Sequence, residues 1–254
     1  MGTILPGSIH TTIQNSIATV TFGHPLRNSF PMSLLAQLTA EINALSSNSS
    51  VNVIVLQSEG TGVFCSGASF DELQKVNDET SGKMFFSGFA NLILAMKNCS
   101  KLIIGRVQGK AVGGGVGIIA ACDYVVATTE SSIKLSEIAI GIGPFVIEPV
   151  VSHKIGKAGF AKMTLEAQEW QSADWAFQKG LFSKLVNSEP ELDAEVLKLA
   201  EQLSSYNPLA LLEIKKLFWQ DTQHWETLLF ERAQISGQLV LSDFTKRALT
   251  DFKK

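Results

Sequence analysis

Cysteine is scarce in this chain, three in 254 residues, and so is histidine, at four. Cys65, Cys99 and Cys122 form an odd, unpatterned set with no C-x-x-C pair. His10, His24, His153 and His224 lie far apart, so neither a disulfide framework nor a metal centre is expected. Each cysteine stands beside apolar residues, the setting of a packed, reduced thiol. Charge of one sign is also lacking. A net charge of −3 with scattered lysines and arginines leaves no basic footprint for nucleic acid. No segment offers ~20 uninterrupted apolar residues, and the first residues show no charged region followed by an apolar run. The expectation is a protein of the cytoplasm, with no membrane span and no anchor. Low-complexity tracts, internal repeats and flexible linkers are missing, as are two nucleotide signatures. No Gly-Lys-Ser/Thr follows the glycine cluster, and its spacing does not fit G-x-G-x-x-G.

What remains is a chain with 45% hydrophobic and 18% charged residues, enough for a sizeable core in one large domain or one and a half. Residues 8–15 and 17–22 read as two strands around a turn at Asn15 and Ser16. Pro31 suits a first helical turn, and Leu34, Leu35, Leu38, Ile42 and Leu45 follow at helical spacing. The β-branched run 51–56 is too continuous for an exposed strand and belongs in the middle of a sheet. A helix over 85–97, strands over 102–107 and 124–128, and the apolar helix between them extend a β/α alternation to about residue 145. From 158 onward the pattern is mainly helical. This predicts an α/β core over 1–157 and a helical region over 158–254.

Two glycine-flanked loops stand out, Ser66-Gly67-Ala68 and Gly113-Gly114-Gly115. Each follows a strand at the same point of the alternation, so both should emerge at one edge, where ligands of parallel sheets bind. Bare backbone at a helix start exposes N–H groups, and the helix dipole favours negative charge there. Two such donors aimed at one carbonyl oxygen make an oxyanion hole. Tight strand-to-helix packing is the simpler use of the same glycines.

Four stretches, in order and spacing, resemble the enoyl-CoA hydratase/isomerase (crotonase) family. They are Val63-Phe-Cys-Ser-Gly-Ala-Ser-Phe-Asp-Glu-Leu73, Val107-Gln-Gly-Lys-Ala-Val-Gly-Gly-Gly-Val-Gly117, Cys122-Asp123 and Glu137-Ile-Ala-Ile-Gly-Ile-Gly-Pro144. His24, Pro25 and Asn28 are similar to its amino-terminal signature. The resemblance spans nearly the whole chain. It implies a crotonase-like spiral of ββα units with a carboxyl-terminal helical trimerisation region, acyl-CoA thioester substrates, and a trimer or dimer of trimers. CoA would enter as part of the substrate, with no separate cofactor and no metal. Carried onto this sequence, the oxyanion-hole donors are the N–H groups of Ala68 and Gly114, with Ser66, Gly67, Gly113 and Pro144 about the substrate.

The carboxylates carry the departure. Of the two glutamates in typical hydratases, the second aligns with Glu137 and the first with Gly117, which has no side chain. Hydration draws on two carboxylates, whereas a double-bond shift needs one base to move a proton from the α- to the γ-carbon. The resemblance therefore implies an isomerase working through Glu137, buried among Leu135, Ile138 and Ile140, with an enoyl-CoA hydratase of a short or branched substrate as the alternative. A crotonase-fold binding or scaffold protein of low turnover is the reading from another class. Glu137 also reads as a surface carboxylate at a helix start, and Glu148 as a second carboxylate or a structural partner of Lys154 or His153. Ser69 for the usual Asp, Phe30 for Leu, and Phe145, Val146 and Ile147 for small residues suggest a short or branched acyl group. The shortened carboxyl-terminal end puts the CoA contacts usually made there in doubt. Asp71 and Glu72 read as capping charges. Leu209, Leu212, Ile214, Leu217, Phe218, Trp219, Trp225, Leu228, Leu229 and Phe230 form more apolar surface than a short appendage hides, some of it for another subunit.

Overall fold

Strands β1 (Ser8–Gln14) and β2 (Ile17–Gly23) pair antiparallel through Asn15 and Ser16, both at positive φ, 51° and 61°. That left-handed pair gives a turn whose twist matches the strands it joins. The structure, a computed structural model, describes residues 6–251. Helix α1 (Met32–Ser47) buries Leu34, Leu35, Leu38, Ile42 and Leu45, the five residues its spacing selects. β3 (Val53–Ser58), β4 (Val63–Cys65) and the short α2 (Phe70–Leu73) follow. Helix α3 (Glu79–Asn98) starts six residues before the expected 85. Its first turn is held by a capping box, with the Asp78 carboxylate accepting from the Ser81 N–H at 2.7 Å and the Ser81 hydroxyl near the Asp78 N–H. A capped polar turn carries no apolar periodicity to read.

β5 (Leu102–Val107), β6 (Lys110–Val112), α4 (Gly114–Ala121), β7 (Tyr124–Thr128) and β8 (Ser132–Lys134) lead to a 3₁₀ turn over Glu137–Ile140. The remaining elements are α5 (Glu148–Leu165), β9 (Gln171–Ser172), α6 (Ala173–Gln178), β10 (Lys184–Val186), α7 (Glu189–Ser204), α8 (Pro208–Phe218), α9 (Trp225–Leu239) and α10 (Asp243–Asp251). Two sheets result, one ordered β1-β2-β3-β5-β7-β10 and the other β4-β6-β8-β9. Each successive pair, β3/β4, β5/β6 and β7/β8, puts its first strand in the large sheet and its second in the small one, the geometry of a ββα spiral. From β2 to β10 the large sheet is parallel.

The large sheet is buried on both faces, as its continuous apolar strands require. Val53, Val55, Ile104 and Val126 face Leu192, Val196 and Ala200 of α7, while Ile54, Leu56 and Ile103 face the main core. The line at residue 157 falls within α5, which kinks at Gly156 (φ 73°) and continues to Leu165. Beyond it the chain is mostly helical, yet β9 and β10 join the small and large sheets. The tail's apolar residues divide. Trp219, Trp225 and Leu229 are buried in the main core, whereas Leu209, Ile214, Leu217 and Phe218 are exposed.

Two of the contacts that fix the carboxyl-terminal helices to the spiral are especially close-packed or buried. Gly82 of α3 meets Gly237 of α9 so closely that a Cβ on Gly82 would lie 2.6 Å from the Gly237 carbonyl oxygen. On α8, the Lys215 ammonium donates to Asp123 Oδ2 at 2.8 Å and to the Met96 and Lys101 carbonyls, and Trp219 Nε1 donates to Asp123 Oδ1. Both members of this ion pair are 2% exposed, and their partners satisfy the charges that burial strips of water.

Candidate active site

Beyond β4 the chain turns at Gly67 (φ 90°), where a Cβ would lie 2.9 Å from the Val112 carbonyl oxygen. A side chain has no room there. The loop is pinned to Phe30 by a parallel bridge, the Phe30 N–H donating to the Gly67 carbonyl at 2.8 Å and the Ser69 N–H to the Phe30 carbonyl at 2.9 Å. That bridge uses the groups on either side of Ala68 and not the Ala68 N–H. Asn28 holds the other side, its Nδ2 donating to the Glu59 and Val63 carbonyls, while Phe30 packs on Phe22 and Phe89. Phe30 thus backs the loop and does not line the cavity.

The second loop lies alongside. Gly113 takes φ 53° and donates its N–H to the Lys134 carbonyl at 2.9 Å. Gly114 opens α4, so its N–H has no intrahelical acceptor. A Cβ on Gly67 would come within 3.7 Å of the Gly114 nitrogen, which places the two loops in contact. Ser66, Gly67, Ala68, Gly113, Gly114, Glu137 and Pro144 all line one cavity of about 110 Å³. Its apolar wall includes Phe85, Phe86 and Phe89 of α3, together with Phe145, Val146 and Ile147.

Glu137 begins the 3₁₀ turn that follows β8, and its carboxyl faces Gly113. A Cβ on Gly113 would be 2.7 Å from Glu137 Oε1. The residue is partly exposed as a whole, but its Oε2 is buried and has no hydrogen-bond partner among the described residues. Burial pushes the carboxyl up from 4.5 to about 7, and the nearby Glu137 and Ser136 N–H groups offset only part of that. Its expected surroundings need one correction. Leu135 is buried and Ile140 lines the cavity, but Ile138 is 45% exposed because the tight turn points it outward.

Gly117 is buried within α4, and a Cβ there would sit 2.4 Å from Ile147 Cγ2. Ile147 therefore fills the direction in which a side chain at 117 would project. Glu148 is not among the residues that line the cavity. Its Oε1 accepts from the Ser152 hydroxyl at 2.9 Å and from Lys157 at 3.0 Å, so its partner is Lys157 and neither Lys154 nor His153. His153 bonds the Phe218 carbonyl and stacks on Trp219. Glu72 caps, but caps α1, its Oε2 accepting from the Met32 N–H at 2.7 Å. Burial pushes the Cys65 and Cys122 thiols up to about 12, as inert packed thiols require.

The α3 phenylalanines, Ser136 and Ser236 of α9 also line the cavity, and no sequence motif marks them as site residues. The phenylalanines at 85, 86 and 89 carried a helical signal alone. Nothing in the sequence linked Ser236 to a site whose other lining residues run from Ser66 to Ile147.

The sequence profile of enoyl-CoA hydratase/isomerase matches residues 12–252. The chain belongs to the enoyl-CoA hydratase/isomerase family. Among its relatives, the mouse (Mus musculus) enoyl-CoA hydratase domain-containing protein 3, mitochondrial, is 28% identical over 244 residues, 94% of this chain and 79% of that protein. The peroxisomal Δ(3,5)-Δ(2,4)-dienoyl-CoA isomerase of Arabidopsis thaliana is 26% identical over 203 residues, 74% of this chain and 71% of that one. The crystal structure of an enoyl-CoA hydratase from Bacillus halodurans superposes with a TM-score of 0.89 at 21% identity, over 96% of this chain and 99% of that one. This likeness shows the crotonase fold. Relatives of the family thus carry mitochondrial and peroxisomal names, and among the described residues no helix is long and apolar enough to cross a membrane.

Proposed function

We propose that this chain is an enoyl-CoA isomerase that moves the double bond of a short or branched 3-enoyl-CoA to the 2-position with Glu137 as its single base. One observation carries the reading. Of the described residues that line the cavity, Glu137 alone has a titratable side chain, and the position that would hold a second carboxylate is Gly117, packed under Ile147. The thioester oxygen would lie between the Ala68 and Gly114 N–H groups. The Glu137 carboxylate takes a proton from the α-carbon, the C–H electron pair enters the conjugated system, and charge develops on the thioester oxygen as a dienolate. Glu137 then returns a proton to the γ-carbon, leaving the double bond between the α- and β-carbons. No water is consumed. A carboxyl held near 7 suits both steps, because it can accept and give back a proton at neutral pH.

The isomerase among the relatives supports a double-bond shift within this family. The test is Glu137→Gln, which should lower the isomerisation rate by about 10²- to 10⁴-fold while acyl-CoA binding persists. A Glu137→Gln protein that retains normal turnover would overturn the assignment, and unmodified protein that binds acyl-CoA thioesters with no turnover across a broad panel would favour a scaffold.

Assembly as a trimer or dimer of trimers is part of the proposal. Leu165, Leu209 and Leu217 are 78%, 70% and 68% exposed, an apolar surface that a partner subunit would cover. A stable monomer in light scattering at micromolar concentration would exclude it.

A further inference from the structure

Five buried side-chain polar atoms have no hydrogen-bond partner among the described residues, and two of them, Glu137 Oε2 and Ser236 Oγ, belong to residues lining the same cavity. The first is explained by its role as a base. The second is not, because Ser236 takes no part in moving a proton. A buried serine in a helix can satisfy its hydroxyl by bonding a carbonyl one turn back, and Ser236, in the last turn of α9, makes no such bond. It is 1% exposed. Its backbone is held in place next door, where Gly237 packs against Gly82 of α3. Phe85 and Phe86 on that same helix line the cavity with it. A buried hydroxyl with no protein partner at the cavity wall can bond a polar atom that a ligand brings.

We infer that Ser236 is a specificity residue that recognises a neutral oxygen, hydroxyl or carbonyl, on the acyl chain beyond the reacting carbons. The charge of the cavity decides between neutral and anionic tails. Among the described residues no lysine, arginine or histidine lines it, and Glu137 is the one ionisable group there, so a carboxylate tail would be buried beside a carboxyl with no described cation to meet it. A hydroxyl both donates and accepts, which lets Ser236 serve an alcohol or a ketone. The inference rests on the acyl group occupying this cavity, and it is independent of which reaction follows.

Binding of saturated acyl-CoAs tests it, since these have no double bond to move. Pentanoyl- and hexanoyl-CoA would be titrated calorimetrically against hydroxy and keto chains of equal length, oxygenated at the last or last-but-one carbon, and against chains ending in a carboxylate. The protein should prefer at least one neutral oxygenated chain over its alkyl parent by about 3- to 10-fold, the range of one net hydrogen bond. In Ser236→Ala that ratio should fall to within about two-fold of unity. Alanine is the better helix former and removes an unpaired group. Ser236→Cys, similar in size with a weak donor, gives the same comparison where the alanine variant fails to fold. A wild-type protein with no such preference, a preference that survives both substitutions, or tightest binding of the carboxylate chain would each overturn the assignment. A uniform loss of affinity for every chain would mark Ser236 as a packing residue and also overturn it. Absence of double-bond shift would leave this result standing, and failure here would leave the isomerase reading standing.

Discussion

Replacing Glu137 with glutamine should change how stability depends on pH as well as removing the proposed base. The folded chain holds this carboxyl at about 7 against 4.5 when unrestrained, so the folded state keeps a proton that the unfolded state has lost across that interval. Stability contributed by the protonated carboxyl is fully present below 4.5 and is lost as pH rises through 7. At 1.36 kcal/mol for each unit between the two values, the loss approaches about 3 kcal/mol. Glutamine does not titrate, so Glu137→Gln escapes the loss. Urea unfolding of both proteins at fixed concentration, from pH 4 to 8.5, should show the variant gaining on the wild type by up to about 3 kcal/mol between pH 4.5 and 7, and by nothing more above. Taking the difference removes other titrating groups common to both proteins. A gap between the two that stays constant across this range would refute the argument that Glu137 is buried without a compensating partner.

The same carboxyl should shape catalysis with the opposite sign, because the base must be ionised: kcat/KM for the double-bond shift should rise with pH through about 7 and then level off. Gly117→Ala should cost about 1–3 kcal/mol in thermal or urea melts, since its Cβ would press on Ile147, and Gly117→Glu should cost more and gain no hydratase activity; a Gly117→Glu protein as stable as the parent contradicts this packing. Gly114→Ala should slow turnover, because its Cβ would lie 2.3 Å from Phe89 Cε1 and displace the cavity wall beside the proposed donor, and Gly114→Pro in a folded protein should abolish turnover by removing the N–H itself. Lys215→Met should destabilise by about 3–5 kcal/mol by leaving Asp123 buried without its cation, read from denaturant midpoints.

Much of the spiral was legible because its elements are continuous apolar strands and single-faced helices. The five leucine and isoleucine positions of α1 and the limits of β5 and β7 follow from pattern alone. The start of α3 was hidden by a polar capped turn. Strands β9 and β10 were hidden by being two and three residues long, too short for any periodicity. The glycine loops announced their meeting through position after successive strands, since backbone donors need no side-chain signature. By contrast, the filling of the Gly117 direction by Ile147, the diversion of Glu148 to Lys157, and the arrival of Ser236 at the cavity depend on how α5 and α9 pack onto the spiral. Side-chain direction at such crossings is a tertiary property, and the sequence carries no local trace of it.

In the proposed reaction one carboxylate does work that hydration shares between two. The direct measurement gives the unmodified protein matched 3-enoyl- and 2-enoyl-CoA substrates of short chain and follows double-bond shift and hydration separately by product analysis. Faster conversion of 3-enoyl- to 2-enoyl-CoA than hydration of 2-enoyl-CoA is the predicted result. Efficient hydration with no detectable double-bond shift would contradict it.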